Sequence, residues 1–447
     1  MKKQYVALAV LGVLGVGAGT AAYVASPTVH EGTIGEAPEL GRAGEFAVGT
    51  LERTYTFEDR ITFGKLGMAT GGTERAERSL AVRFWYPAEA ASGEALVTYE
   101  HVMHAPSAEP FPLQFEGRAV VDVAPKGEAQ SYPLVIISHG FNGWNTQLSN
   151  LGEHLASRGY VVASIDHGDM RIEDTSDFIH SFSKVLVDRS LDQRQFIARL
   201  LADAKVGNGP LINLIDTGKV GLIGYSMGGY GALATAGAGY DYDSDTFGTV
   251  PSDALEVLRE ASAEAAPVDA VIAFAPWGGQ PDNRTWSADT LSKLSIPAMI
   301  VSGSEDDVSN HAEGVRWIFE NLTGTERHLL TFREARHNIV GNAFDVPESA
   351  PFRIAEFLNE PVWRQDRING INQHFVTAFL DLHLKGEAEK AAYLAVPVSD
   401  ANDSSWETQF GEQLNGKLAG PDKTDHWRGF QRRWAVGLDF ETRAAGE

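Results

Sequence analysis

The segment Gly224-Tyr225-Ser226-Met227-Gly228 constrains this chain more than any other. It follows the apolar run Val220-Gly221-Leu222-Ile223 and leads into Gly229-Tyr230-Gly231-Ala232-Leu233-Ala234, a stretch that suits a helix. A serine between a buried strand and a helix, with glycine two places away on each side, reads as a sharp turn that exposes the hydroxyl. The glycines are needed because neighbouring backbone crowds such a turn. Without the strand in front, the same five letters are an ordinary turn.

A serine hydroxyl is a weak nucleophile near neutral pH. It needs an adjacent base, and the base needs an orienting acid. In strand–turn–helix sites of this kind the acid and the histidine follow the serine, each at the end of a later strand. A strand predicted at 296–301 is followed by Ser302-Gly303-Ser304-Glu305-Asp306-Asp307-Val308, and one at 328–332 by Arg333-Glu334-Ala335-Arg336-His337-Asn338. His337 is the candidate base, whereas His328 starts its strand and falls on the wrong edge of the sheet. Adjacent loop residues point in different directions, so only one of Asp306 and Asp307 reaches the imidazole. Asp306 is preferred, Asp307 is the alternative and Glu305 a third choice. Two backbone N–H groups must face the developing oxyanion. They are assigned to Met227 and to Phe141, within His139-Gly140-Phe141-Asn142-Gly143.

Short apolar strands at 133–138, 160–165, 220–223, 268–274, 296–301 and 328–332 alternate with helical stretches at 145–157 and 190–204. This is an α/β pattern with a mostly parallel central sheet and helices on both faces. Further strands are expected at 79–86 and 119–123, and a closing helix at 371–384. Met1-Lys2-Lys3 and the uncharged run 4–28 mark residues 1–25 as a signal peptide or N-terminal membrane anchor, so the protein is exported. Residues 26–50 read as a linker, 51–385 as the catalytic domain, and 386–447 as an extension packed on the core through Trp406, Trp427 and Trp434.

The sequence has 37 basic and 60 acidic residues, a net charge of −23, which disfavours nucleic acid and leaves 4–28 as the one route to a membrane. There is no cysteine, so disulfides, thiolate catalysis and cysteine-ligated metals are excluded. Asp166-His167-Gly168-Asp169 carries metal-compatible side chains but reads as loop hydrogen bonding, and His101-Val102-Met103-His104 as structural. No cofactor or metal is expected, and the protein is expected to be a monomer. The connection 277–295 is too short for a large cap domain. Trp277 is expected to bind substrate, with segments 170–188 and 238–251 leaning over the site.

Together with Leu155-Ala156-Ser157-Arg158-Gly159-Tyr160-Val161-Val162, these motifs resemble the α/β-hydrolase superfamily over about residues 80–385. Within it, the chain is similar to platelet-activating-factor acetylhydrolases and dienelactone-hydrolase-like serine esterases. The loop around Asp307 is also similar to that of bacterial cutinase-like polyesterases. The resemblance implies an α/β-hydrolase fold and hydrolysis of a small-molecule or lipid-like carboxylic ester. Two departures stand out. Dienelactone hydrolases use a cysteine, absent here, so their lactone substrates do not carry over. Tyr225 stands where acetylhydrolases usually carry histidine. The same triad would serve an amidase or peptidase, and a binding protein on a hydrolase scaffold is a further alternative.

Overall fold

In the computed structural model, which describes residues 37–89, 95–104, 109–127, 131–207, 209, 211–404, 425–431 and 434–447, one sheet organises the chain. Its strands are β1 (Ala47–Thr62), β2 (Glu74–Ala88), β3 (Leu96–Met103), β4 (Phe111–Val121), β5 (Tyr132–Ser138), β6 (Val161–Asp166), β7 (Ile215–Tyr225), β8 (Ala270–Phe274), β9 (Ala298–Gly303), β10 (Arg327–Phe332) and β11 (Leu438–Arg443). Their order is β11-β10-β9-β8-β7-β5-β6-β2-β1-β4-β3. Strands β5 to β10 run parallel, while β2 and β11 join antiparallel on β6 and β10. After β5 the chain moves to β6 on one side, then returns to β7 on the other. That reversal opens a crevice at the carboxyl ends of β5 and β7, where ligands bind in open α/β sheets.

The apolar runs become parallel strands because both of their faces are covered. Every residue of β5 is buried. Leu134 and Ile136 join a core with α2 (Thr175–Val206) and α3 (Met227–Thr235). Val135 and Ile137 enter the opposite core, with α1 (Ser149–Ser157) and α5 (Gln365–Leu380). A further short helix, α4 (Phe352–Leu358), lies between β10 and α5.

The sheet overruns both expected domain boundaries. Structure in the stretch read as a linker begins by Ala37: Ala37 and Leu40 are buried, Glu39 N–H donates to the Gly429 carbonyl, and β1 starts at Ala47. At the other end β11 completes the β10 edge, with Leu438 and Phe440 turned inward and Phe440 stacked on Phe375 at 4.8 Å. Both strands are fixed by their partners, β1 by β2 and β4 and β11 by β10, and local composition does not report such pairing. Trp427 is buried as expected, whereas the 1–25 export segment and Trp406 lie outside the described residues.

Candidate active site

Ser226 sits at the junction of β7 and α3 with φ 52° and ψ −115°, a conformation that costs a non-glycine residue about 1–3 kcal/mol. The surroundings hold it there. Ser226 N–H donates to the Phe274 carbonyl at 2.8 Å, and a Cβ on Gly224 or Gly228 would overlap the Gly228 or Ser138 carbonyl respectively. The expected glycine requirement is therefore a contact requirement: two strands and a helix pass within van der Waals distance of the turn.

His337 Nε2 lies 3.0 Å from Ser226 Oγ, and its Nδ1 lies 2.9 and 3.0 Å from the two oxygens of Asp306. The loop after β10 reaches back across two strands to do this, helped by the Glu305 N–H bond to the Ala335 carbonyl and by positive φ at Glu334. Asp306 is buried and also accepts N–H bonds from Val308 at 2.9 Å and Ser309 at 2.8 Å. Burial alone would raise its pKa; His337 and those two N–H groups outweigh it and hold the carboxyl below its usual range. Asp307 points to the rim and pairs with Arg336 at 2.7 Å. Glu305 shares the loop without approaching the imidazole as Asp306 does.

Both expected oxyanion donors belong to peptides whose carbonyls are held from behind. The Ser226 carbonyl accepts from Tyr230 N–H at 2.9 Å and Trp277 N–H at 3.2 Å. The Gly140 carbonyl accepts from His139 Nδ1 at 2.6 Å and Arg189 Nη2 at 2.9 Å. No described peptide bond is cis, so in each unit the N–H, of Met227 and of Phe141, points opposite to its carbonyl. Met227 also opens α3, where the first N–H groups lack intrahelical acceptors.

Ser226 and His337 open into a cleft of about 810 Å³, lined among others by Phe141, Tyr225, Val308, Phe352 and Phe357. Trp277 is not among its lining residues: the residue is 7 % exposed and its ring packs edge-on to Phe182 and Tyr230. It reaches the site through its backbone N–H alone. Segment 238–251 lies behind the serine helix, with Tyr240 stacked on Tyr230 at 4.8 Å. Segment 170–188 is mostly the start of α2, capped by Asp174, with Phe178 and Phe182 against Phe141. The wall that sequence reasoning missed is α4 with its flanks, lacking any sustained apolar period. A second missed feature is Tyr225, whose hydroxyl donates to Asn338 Oδ1 at 3.1 Å and steadies the histidine loop.

No group of three or more His, Asp or Glu side chains among the described residues is arranged to hold a metal ion. The Asp166–Asp169 cluster instead enters a buried polar layer facing α2. His167 Nδ1 meets Asp192 at 2.9 Å and its Nε2 meets Ser138 Oγ at 2.8 Å, while Gln193 donates to Ser138 Oγ and to the Gly228 carbonyl. His101 stacks on Trp144 at 3.9 Å.

A family model described as PET hydrolase-like matches residues 117–241. The bis(hydroxyethyl) terephthalate hydrolase of Streptomyces coelicolor is 24 % identical over 46 % of this chain and 51 % of its own length. Cutinase est1 of Thermobifida alba is 26 % identical over 47 % of this chain and 55 % of its own length. The platelet-activating factor acetylhydrolase of Canis lupus familiaris is 41 % identical over 10 % of each chain. The chain thus spans about half the length of the first two relatives. The solved structure of a ferulic acid esterase from Streptomyces cinnamoneus covers 77 % of this chain and 92 % of its own, with TM-score 0.51 and 22 % identity. That likeness is one of fold, and it agrees with the α/β-hydrolase sheet described above.

Proposed function

We propose that this chain hydrolyses carboxylic esters through an acyl-enzyme formed on Ser226. The observation that carries the reading is the unbroken hydrogen-bonded line from Asp306 through His337 to Ser226 Oγ. His337 Nε2 takes the serine proton as Oγ attacks the ester carbonyl, and Asp306 keeps the ring in the Nδ1–H tautomer. The N–H groups of Phe141 and Met227 receive the oxyanion, each lowering the barrier by ~3 kcal/mol. His337 then protonates the leaving alcohol, and water repeats the attack on the acyl group.

The cleft supports an apolar acyl or aromatic acid group between Phe141, Tyr225, Phe352 and Phe357. The names of two relatives, a terephthalate ester hydrolase and a ferulic acid esterase, fit the same substrate class. Export is part of the proposal and rests on Met1-Lys2-Lys3 with the uncharged run behind it. No helix among the described residues is long and apolar enough to cross a membrane.

Labelling with a fluorophosphonate tests the reading. Wild type is expected to label and to turn over p-nitrophenyl esters, and Ser226→Ala to do neither. Equal labelling of both proteins, or an inert wild type, would overturn it. N-terminal sequencing of the secreted protein tests export.

A further inference from the structure

Arg189 is a fully buried cation on α2, and the ester mechanism gives it no direct task. Its guanidinium donates to Asp169 through Nη1 at 3.0 Å and Nη2 at 2.7 Å, and Nη2 also reaches the Gly140 carbonyl at 2.9 Å. The same Asp169 oxygen accepts the Asn142 N–H at 2.8 Å. One ion pair therefore grips the loop on both sides of Phe141, through the carbonyl before it and the amide after it. We propose that Arg189, held by Asp169, is a positioning residue that fixes the Gly140–Phe141 peptide so that the Phe141 N–H faces the nucleophile.

The proposal rests on the esterase reading and adds the device that keeps its oxyanion hole formed. The loop needs such a device. Gly140 leaves the peptide after it free to rotate, and Asn142 holds a φ of 57°. A flip of that peptide would turn the N–H away and present a carbonyl oxygen to a developing negative charge. The Gly140 oxygen also accepts a longer bond from the Gly143 N–H at 3.3 Å and a short one from His139. His139 Nε2 accepts the His167 backbone N–H at 3.0 Å, so the ring proton sits on Nδ1 and donates. Burial first, then the nearby Arg189 charge, lower the His139 pKa and keep the ring neutral.

Stability alone gives little reason for the arrangement. A buried ion pair is often replaceable by apolar side chains without loss, and here Arg189 Nε has no hydrogen-bond partner among the described residues. What the pair supplies is direction. The planar fork meets a carboxylate and a carbonyl at once, which a lysine ammonium cannot reproduce with the same geometry.

The test compares Arg189→Met, Arg189→Lys and Asp169→Asn with wild type, assayed on a p-nitrophenyl ester well below each protein's melting temperature. The expected result is a fall in kcat of about 10- to 100-fold with KM within about twofold, and Arg189→Lys intermediate. Affinity for a trifluoromethyl ketone, whose hemiketal oxygen occupies the hole, should fall by the same factor as kcat/KM. Affinity for the corresponding alcohol, which places no oxyanion there, should not change. Should Arg189→Met fail to fold, Asp169→Asn, close in volume, carries the same readouts. Folded variants with wild-type kcat, or with equal losses for ketone and alcohol, would overturn the proposal. An inert wild type would instead remove the esterase reading beneath it.

Discussion

Asp306 and Asp307 are neighbours in the chain and serve opposite sides of one loop. Asp306 turns inward, with no exposed side-chain surface, and accepts from His337 Nδ1, whereas Asp307 is 65 % exposed and pairs with Arg336. Asp306→Asn should lower kcat about 10⁴-fold, because an amide at that position favours the wrong imidazole tautomer. Asp307→Asn should change it by less than about threefold, since exposed ion pairs contribute ~0–1 kcal/mol. Steady-state rates of the two variants on one ester decide between them, and the reverse ranking would reassign the acid.

Gly228→Ala should damage the protein as a whole. The added Cβ meets the carbonyl oxygens of Ser138 and His139, both of them backbone at the end of β5, so no side chain can swing aside. A loss of about 3 kcal/mol is expected, read as a lower urea midpoint, with kcat reduced as the serine turn shifts. Wild-type stability and rate would show that the turn is more compliant than its packing indicates.

Substitutions on α4 should act on binding alone. Phe352 and Phe357 line the cleft and are 76 % and 41 % exposed, so neither supports the core. Phe352→Ala and Phe357→Ala should raise KM for aromatic esters by about 2- to 10-fold, with stability within about 0.5 kcal/mol of wild type. Turnover of p-nitrophenyl acetate should be unchanged. Kinetics on the two substrate classes test this, and unaltered KM for the aromatic ester would place the acyl subsite elsewhere.

Acid should weaken the fold in a definite window. Burial pushes His167 and His374 down to about 3 and His328 to about 4, so each stays neutral in the folded protein where an ordinary histidine titrates near 6.5. Between those values the unfolded chain binds protons that the folded chain refuses. Stability is therefore full above pH 6.5 and falls as pH drops towards about 4, by up to ~1.4 kcal/mol per pH unit for each histidine. Below about 4 the depressed carboxyls, Asp306 and Asp169 among them, add to the loss. Urea midpoints at pH 7.5, 6 and 5 check the slope, and a flat profile would count against it.

The parallel strands of the sheet were legible in the sequence because such strands announce themselves. Runs such as 133–138 are largely apolar, and the loops after β7, β9 and β10 carry the candidate residues Ser226, Asp306 and His337 in chain order. The walls of the cleft were not legible. Helix α4 has seven residues and buries only Ile354 and Leu358, too few for a period to register. The first turns of α2 mix Ser, His and Phe without an apolar stripe, and Asp174 caps them by accepting the Asp177 N–H. In β11, Leu438 and Phe440 do alternate with polar residues, but six residues in a polar tail gave no hint of the partner strand. Trp277 failed for another reason: a large aromatic near a site is as readily core as contact, and only packing decides which.

The polar layer beneath the reactive rim bears on any attempt to harden this protein. Arg189 and Asp169 together occupy core volume that a matched set of apolar side chains, replacing both at once, would fill with a gain in heat resistance. A screen that rewards survival at high temperature alone would drift towards such replacements. It would return sturdy molecules that work slowly, because what it discards aims the loop around Phe141.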